Sequence, residues 1–573
     1  MVKLVVFKGL GIKMKEVSSI NENTGEIKAE VTVEKKEDAN RRGILRNKTY
    51  LYMTEFFAGM AVMAVELGAS RLLAPYFSSS QIVWTIIIGT IMISMALGNI
   101  YGGRSADKDP NPDRLYKRLA IAAVWIAAIP VLGKYIILLV SGVMIITINQ
   151  NFLIIAAFTS CMVIFVYPLF LLGTVTPSLV KYTVDSLDDN GKIVGSLGAS
   201  NTIGSIIGTF LPTFVTIPAV GTSITFLIFS GVLLVLSLIY FISVKRKTIF
   251  IIICSVLFIL CSIFGNSDSF AFWQKDLTYE GESIYNYLQV KEDDKSIILS
   301  TNVLFGVQSI TIKDGSLSGM YYDYALAAPL MAGINDTSEG EVLILGMGTG
   351  TYAKELLKYF GGLHVEGVEI DEKITELARK YFDEPEEAVV TTYDGRAYLQ
   401  AVEKKYDVIM VDAYQDITIP FQMSTKEFFT MVKKHLTENG VMVVNLNMYS
   451  DAEGSISEYL CDTIGNVFPY VSIVEVEGYT NSVLFASMNK DAVYDVLISK
   501  SSDFDEEFVN LMSTVNDRLA VYTAGDNILT DDKAPVELLG MKEIDARITE
   551  ELSYYKDVYK EKGIKGLLEE LGL

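Results

Sequence analysis

Residues that could build a nucleotide site lie in the C-terminal half of the 573-residue chain. The glycine-rich stretch Gly346–Thr351 follows an apolar run, and glycines at a strand-to-helix turn let the backbone approach a ligand closely. Glu369 stands 19 residues beyond Gly350, a spacing at which an acidic residue can accept hydrogen bonds from ribose hydroxyls. Asp394 and Asp412 each follow a further apolar run. The pattern predicts a nucleoside site lined by carboxylates.

Few histidines and cysteines are available for other chemistry. The chain has two histidines, His364 and His435, so a histidine-based metal site or a Ser-His-Asp triad is nearly excluded. Its four cysteines lack the paired spacing of a zinc site or a disulfide framework, and we expect buried thiols. Catalysis is therefore left to carboxylates, tyrosines and backbone groups, and no metal is expected.

Strands and helices alternate around the acidic residues. Apolar runs predict strands over 341–345, 364–369, 389–393, 406–411, 440–445 and 482–487, with helical segments between them. This alternation predicts a doubly wound sheet, which binds its ligands at the carboxyl ends of the strands. Shorter β-rich runs precede it and predict a small additional sheet, over 287–290, 296–300 and 307–313.

The N-terminal half has the composition of a membrane domain. The chain is 50% hydrophobic yet carries a net charge of −21, and its apolar residues lie mostly before residue 266. Because a membrane-spanning helix needs roughly 20 residues, we predict spans over 51–74, 82–103, 119–148, 152–177, 195–217, 223–243 and 249–265. The stretch 119–148 contains Pro130 and predicts either one kinked helix or a short hairpin. The expected number of spans is seven or eight.

Basic residues in the short loops indicate orientation, because lysine and arginine favour the cytoplasmic side. Basic groups precede the first span and recur over 104–118 and 245–247, which agrees with a single span at 119–148 and a C-terminal domain outside the cytosol. A hairpin at 119–148, or a segment 249–265 that does not cross, would return that domain to the cytosol. We expect a multi-pass protein of the cell membrane with a cytoplasmic catalytic domain, because its nucleotide ligand is expected there.

Ionisable and small residues within the spans carry a further signal. Glu55, Glu66 and Arg71 lie in the first span, where such residues either mark function or pair with each other. Glycines at three- and four-residue spacing over 195–208 favour close helix packing and require no substrate to explain them.

Residues 283–540 resemble the spermidine synthase family of aminopropyltransferases, and the whole chain resembles the membrane-fused branch of that family. Besides the glycine turn and the acidic residues, the similar motifs are Glu282–Tyr287, Gly306–Ser309, Tyr321–Leu330, Ile419–Pro420, Thr425–Phe429 and Thr530–Glu537. The resemblance implies transfer of an aminopropyl group from decarboxylated S-adenosylmethionine to an amine, with release of methylthioadenosine. It also implies an α-helical multi-pass membrane domain followed by an α/β Rossmann-like domain of the S-adenosylmethionine-methyltransferase type, with a small N-terminal β-sheet.

The resemblance also implies roles for individual residues. Asp412 is expected to be the catalytic base, and Tyr321 to orient the reacting groups. The expected nucleotide-binding residues are Gln308, Gly346, Gly348, Thr349, Gly350, Glu369, Asp394 and Gly395. The expected amine-binding residues are Tyr322, Asp323, Tyr414, Gln415, Asp416 and Tyr479. No cofactor is expected to stay bound, because decarboxylated S-adenosylmethionine or S-adenosylmethionine is a co-substrate.

These expectations divide the chain into five parts. They are a polar segment 1–47, a transmembrane domain 48–266, a β-rich subdomain 267–335, a catalytic domain 336–545 and a helical tail 546–573. The expected partners are the lipid bilayer and a small-molecule amine or polyamine. No nucleic acid is expected, and a homodimer is left open.

Two departures from the family pattern leave other functions open. The family's loop GGGDGG is here GMGTGT, so Thr349 replaces the aspartate that holds the aminopropyl amine. The strand-end motif DSxDP is here Asp412-Ala-Tyr414-Gln415, which lacks the second acid, although Asp416 follows. Another S-adenosylmethionine-dependent transferase or lyase is therefore one alternative. A transporter or sensor with a nucleotide-binding domain is the other.

Overall fold

The computed structural model describes residues 47–148, 151–183, 190–265, 269–274, 277–303, 307–413, 419–447, 450, 452–492 and 497–570, together with the backbone of three N-terminal strands. Those strands, β1 (Leu4–Phe7), β2 (Ile12–Ile20) and β3 (Ile27–Lys35), form an antiparallel sheet in that order.

A bundle of apolar helices follows. Its members are α1 (Lys48–Phe77), α2 (Gln81–Lys108), α3 (Pro112–Thr147), α4 (Phe152–Gly173), α5 (Val175–Thr183), α6 (Asn190–Leu211), α7 (Ile217–Val244) and α8 (Thr248–Phe264). Among the described residues, five helical runs are long and apolar enough to cross a membrane, and α8 is a shorter apolar helix. One of these runs, Asn190–Val244, contains both α6 and α7.

The run that contains α6 and α7 passes through the bundle twice. Along α6, Gly204 and then Gly208 pack against successive turns of α1, so these two helices are parallel. Tyr50, near the start of α1, donates to the carbonyl of Leu236 near the end of α7 at 2.6 Å, so α7 is antiparallel. The chain therefore reverses direction at Gly221, near the start of α7, where a φ of 78° interrupts the helical backbone.

Residues 119–148 do not form a hairpin. Nearly all of them lie in the single helix α3, which contains Pro130. Helix α8 runs alongside it, from Phe250, whose ring lies 5.3 Å from Lys117 Nζ, to Gly265, which packs near Pro130. With α4 and α5 counted together, the described helices make seven passes. The bundle consequently begins at one end and finishes at the other.

A small antiparallel sheet links the bundle to the C-terminal domain. Its strands, in order, are β4 (Leu277–Glu282), β5 (Tyr287–Glu292), β6 (Ser296–Ser300) and β7 (Ser309–Ile312). They match the three β-rich runs of the sequence and add one strand before them.

An eight-stranded mixed sheet forms the core of the C-terminal domain. Its strands are β8 (Gly340–Leu345), β9 (Leu363–Glu369), β10 (Val389–Thr392), β11 (Tyr406–Val411), β12 (Leu436–Leu446), β13 (Tyr470–Glu475), β14 (Ser482–Ser487) and β15 (Ala520–Val521). The order is β10-β9-β8-β11-β12-β14-β13-β15, with the first five strands parallel and the other three antiparallel to their neighbours.

Helices cover both faces of this sheet. They are α9 (Tyr321–Ala325), α10 (Ala327–Met331), α11 (Thr351–Tyr359), α12 (Glu372–Tyr381), α13 (Gly395–Ala401), α14 (Lys426–His435), α15 (Ile456–Gly465), α16 (Leu497–Lys500), α17 (Glu506–Arg518) and α18 (Val536–Glu570). Val342 and Ile344 of β8 join one hydrophobic core, whereas Leu343 and Leu345 join the other. Burial on both faces explains the continuous apolar runs and confirms the Rossmann-like fold.

The C-terminal domain contacts one end of the helix bundle. Glu537 of α18 accepts a hydrogen bond from the backbone of Gln81 at 2.6 Å, and Asp545 accepts one from Phe152 at 3.0 Å. Helix α18 begins at Val536, so the expected boundary at 546 falls inside it. The start of α1 and the turn between α7 and α8 lie at the opposite end of the bundle.

Candidate active site

The glycine turn brings the ends of β8 and β11 together. Gly346 has a φ of 94°, and a Cβ there would lie 2.5 Å from the carbonyl oxygen of Asp412. Only glycine allows this approach, because the positive φ and the contact both exclude a side chain. The N–H of Gly348 then donates to Glu369 Oε2 at 3.0 Å. The glycine turn therefore contacts both Asp412 and Glu369, two of the acidic residues that the sequence predicts for the site.

Glu369 is a buried carboxylate at the end of β9. Its Oε1 accepts the backbone N–H of Asp371 at 3.1 Å, in addition to the bond from Gly348. Burial raises the pKa of Glu369 to about 7, and these backbone donors only partly oppose the shift. A carboxylate beside the glycine turn is in the position from which ribose hydroxyls are held in this fold.

Asp412 follows β11 and has a donor on each oxygen. The hydroxyl of Tyr321 donates to Oδ2 at 2.6 Å, and the side-chain amide of Asn445 donates to Oδ1 at 2.9 Å. The pKa of Asp412 is raised to about 7, mainly by burial and in part by the charge of Glu369, while the two hydrogen-bond donors oppose the rise. A carboxyl group with this pKa can take and return a proton near neutral pH.

Asparagines behind Asp412 were not predicted to belong to the site. Asn481 donates through Nδ2 to Asn445 Oδ1 at 2.9 Å and to Asn447 Oδ1 at 3.3 Å, which fixes the amide of Asn445 with its donor toward Asp412. Asn445 lies at the carboxyl end of a strand, so the strand-end rule could have found it. Asn481 precedes β14, and sequence spacing gives no comparable signal for it.

Thr349 belongs to a cluster of hydroxyl groups. Its Oγ1 lies 2.5 Å from Ser309 Oγ and 3.2 Å from Thr351 Oγ1. Thr351 in turn lies 3.1 Å from Thr311 Oγ1 and donates to the carbonyl of Ile310. The position that holds an acid in the family loop is thus neutral and is anchored to the small sheet.

Two predicted residues stand beside this cluster. The hydroxyl of Tyr322 lies 3.3 Å from the carbonyl oxygen of Gln308 and 3.4 Å from Ser309 Oγ, and its ring centroid is 4.0 Å from that of Tyr321. In the described part of the chain, Oε1 of Gln308 is a buried acceptor without a hydrogen-bond partner. It is available to accept a bond from a ligand.

The remaining predicted residues have local partners. Asp394 caps α13, accepting the N–H of Ala397 at 2.8 Å, and Gly395 begins that helix. Asp323 is buried and accepts bonds from Ser318 and Gly319 in the preceding turn. It also interacts with the carboxyl group of Glu355, and burial raises the pKa of both. These contacts orient the carboxyl group of Asp323 toward its own turn and toward Glu355, and its binding of the amine stays a prediction.

Tyr479 lies exposed on the loop that carries Asn481. Tyr414, Gln415 and Asp416, like Gly306, fall outside the described residues. Within the described segments, no group of three or more histidines, cysteines and acidic residues is arranged to hold a metal ion.

Known proteins share this region of the chain. The spermine/spermidine synthase domain family matches residues 327–515. A probable polyamine aminopropyl transferase of Bifidobacterium longum is 51% identical over 352 residues, which cover 58% of this chain and 77% of that protein. Polyamine aminopropyltransferase 1 of Aquifex aeolicus is 29% identical over 210 residues, covering 35% of this chain and 72% of that protein. The crystal structure of spermidine synthase from Thermotoga maritima aligns at 22% identity with a TM-score of 0.34, covering 42% of this chain and 84% of that one.

Proposed function

Because this chain belongs to the spermidine synthase family of polyamine aminopropyltransferases, we propose that it transfers an aminopropyl group from decarboxylated S-adenosylmethionine to a small amine or polyamine. The observation that carries the proposal is Asp412, which stands at a strand end against the glycine turn. Its carboxylate is oriented by Tyr321 and Asn445.

Asp412 supplies the base that an ammonium acceptor needs. An alkylammonium has no lone pair, so its proton must pass to the carboxylate before attack. The free amine then forms a bond to the methylene carbon beside the sulfonium, while the carbon–sulfur bond breaks and its electron pair returns to sulfur. The products are the extended amine and neutral methylthioadenosine. The negative charge of Asp412 also attracts the cationic acceptor into the site.

The neutral cluster around Thr349 favours a second candidate donor. An acid at this position would attract the ammonium of decarboxylated S-adenosylmethionine and repel the carboxylate of the intact nucleotide. With Thr349 hydrogen-bonded to Ser309, that discrimination is absent at this position. S-adenosylmethionine is therefore the alternative donor, and methyl transfer the alternative reaction.

The by-product of turnover tests the proposal. The full-length protein is incubated with each donor and a panel of amines, and the nucleoside product is identified by mass. Methylthioadenosine, formed only with amine present and only from the decarboxylated donor, supports the proposal. S-adenosylhomocysteine would establish methyl transfer and overturn it. Nucleotide binding without turnover of either donor would favour a sensor or a transporter.

We further propose that α1–α8 lie in a bilayer with the catalytic domain on the extracytoplasmic side. Lysines and arginines gather at the end of the bundle opposite that domain, at residues 48, 104, 108, 114, 117, 118, 181, 192 and 245–247. The end beside the catalytic domain carries Arg71 and Lys134. The positive-inside rule assigns the first of these ends to the cytoplasm. The hairpin at 119–148 and the non-crossing segment 249–265, either of which would put the catalytic domain in the cytosol, are not favoured, because α3 is one helix and α8 runs alongside it. The expectation of a cytosolic domain then rests only on the expected location of its nucleotide.

Labelling in intact cells tests this orientation. Asn510→Cys, at an exposed position of α17, should react with a membrane-impermeant maleimide, whereas Lys247→Cys at the opposite end should react only after the cells are opened. The native Cys461 is buried in the catalytic domain and is replaced by alanine in both variants. The reverse pattern would return the catalytic domain to the cytosol. The proposed orientation requires both substrates to reach the outer face.

A further inference from the structure

The turn between β4 and β5 is held by the membrane helices. Arg71 of α1 donates from its guanidinium to the carbonyl oxygens of Ser283, at 3.0 Å, and Ile284. Beside it, the carboxylate of Glu282 accepts the backbone N–H of Thr222 in α7 at 3.1 Å and its hydroxyl at 3.0 Å. Two membrane helices thus fix one four-residue turn.

The opposite side of this turn is bonded to the nucleotide domain. The hydroxyl of Ser283 donates to Asp371 Oδ2 at 2.5 Å, and the side-chain amide of Asn286 donates to the same oxygen at 2.9 Å. The backbone N–H of Asp371 donates to Glu369 Oε1 at 3.1 Å. Hydrogen bonds therefore connect Arg71, through one turn and one aspartate, to the buried carboxylate beside the glycine turn.

The chemistry of arginine suits this position. A guanidinium presents several donors in a fixed fork, which lets one side chain bind two neighbouring carbonyl oxygens at once. Its positive charge also acts on Glu282 and Asp371. Asp371 is 1% exposed, so moving its donors away would leave a buried carboxylate short of partners. A lysine has one ammonium and cannot reproduce the paired contact.

We infer that Arg71 is a positioning residue for the nucleotide site, and that the membrane domain is therefore a working part of that site in addition to an anchor. Arg71 acts by fixing the turn 283–286, which orients Asp371 and hence Glu369. This inference rests on the proposed function for the identity of the nucleotide.

Calorimetry on the full-length protein in lipid nanodiscs tests the inference, with methylthioadenosine as the probe. Arg71→Met should raise the Kd about tenfold, and Arg71→Lys should fall between it and the wild type. Lys134→Met is the matched control, because Lys134 of α3 also donates to a linker carbonyl, that of Ser269 at 2.7 Å, but this bond lies outside the turn 283–286 that contacts Asp371. Its Kd should equal that of the wild type.

A kinetic measurement and a double mutant separate positioning from general damage. With turnover established, Arg71→Met should raise KM for the donor about tenfold while kcat at saturating donor changes less than threefold. Adding Ser283→Ala to Arg71→Met should weaken binding little further, because both substitutions break the same hydrogen-bonded connection between α1 and Asp371.

Two failures are distinguishable. If the wild type binds methylthioadenosine and Arg71→Met binds it equally well, the inference is wrong and the proposed function stands. If the wild type binds no adenosine nucleotide, both are wrong. Should Arg71→Met not fold, Arg71→Lys and Ser283→Ala alone must still weaken binding, and unchanged affinity in both would overturn the inference.

Discussion

Replacement of Asp412 by asparagine removes the proposed base and keeps the shape of the site. The new amide can accept from Asn445 through Oδ1 and donate through Nδ2 to the hydroxyl oxygen of Tyr321, so neither neighbour loses its partner. The variant can then react only with acceptor molecules whose amine is already deprotonated. For an amine with a pKa of about 10.4, roughly one molecule in 250 is neutral at pH 8 and one in 25 at pH 9. Turnover should fall about 250-fold at pH 8, within the ~10²–10⁴ range of general base catalysis, and about 25-fold at pH 9.

The pH profile is the decisive measurement. The wild-type rate should rise as Asp412 ionises and level off above its pKa of about 7. The rate of the variant should instead keep rising, tenfold per pH unit, up to about pH 10, where the acceptor amine becomes neutral. Methylthioadenosine affinity should hardly change. Asp407→Asn is the matched control, since Asp407 lies in β11, the strand that Asp412 follows, but accepts bonds from Glu341 and Thr437 at the other end of that strand. A variant whose rate loss is the same at every pH would refute the role of Asp412 as base.

Two further substitutions probe the partners of this site. Tyr321→Phe removes a hydrogen bond that lowers the pKa of Asp412, so the acid limb of kcat/KM should move to higher pH, with kcat falling about tenfold; a limb that moves to lower pH would contradict the assignment. Glu369→Ala should weaken methylthioadenosine binding by about 1–3 kcal/mol in calorimetry, because ribose hydroxyls lose their acceptor. Asp394→Ala should have a similar effect at the adenine, and unchanged affinity in both variants would rule out this pocket.

The pattern of the fold is local enough to be predicted from sequence. Strands buried on both faces produce continuous apolar runs, and helices long and apolar enough to cross a membrane produce runs of about 20 residues, so both types of element were located. The glycine turn and the acids Glu369 and Asp412 were also found, since strand ends in a doubly wound sheet meet at one edge.

Side-chain partners distant in sequence could not be predicted. Asp323 matches a family motif, yet its carboxylate is bonded to its own turn and to Glu355, because the fold buries these groups side by side. Asn481 reaches Asn445 only because β12 and β14 pair in one register. Neither contact leaves a periodic or spacing signal in the chain.

By itself, the sequence determined the type and order of the elements, the apolar and acidic halves, and the acids that follow the parallel strands, because these depend on short-range periodicity and on turn chemistry. Tertiary structure decided whether 119–148 turned back or continued, since Pro130 is compatible with either and only packing against α4, α7 and α8 selects the single helix. Tertiary structure also decided the partner of Arg71. In the sequence, Arg71 lies in an apolar span five residues from Glu66. In the fold, its guanidinium binds the carbonyl oxygens of Ser283 and Ile284, more than 200 residues away in the chain.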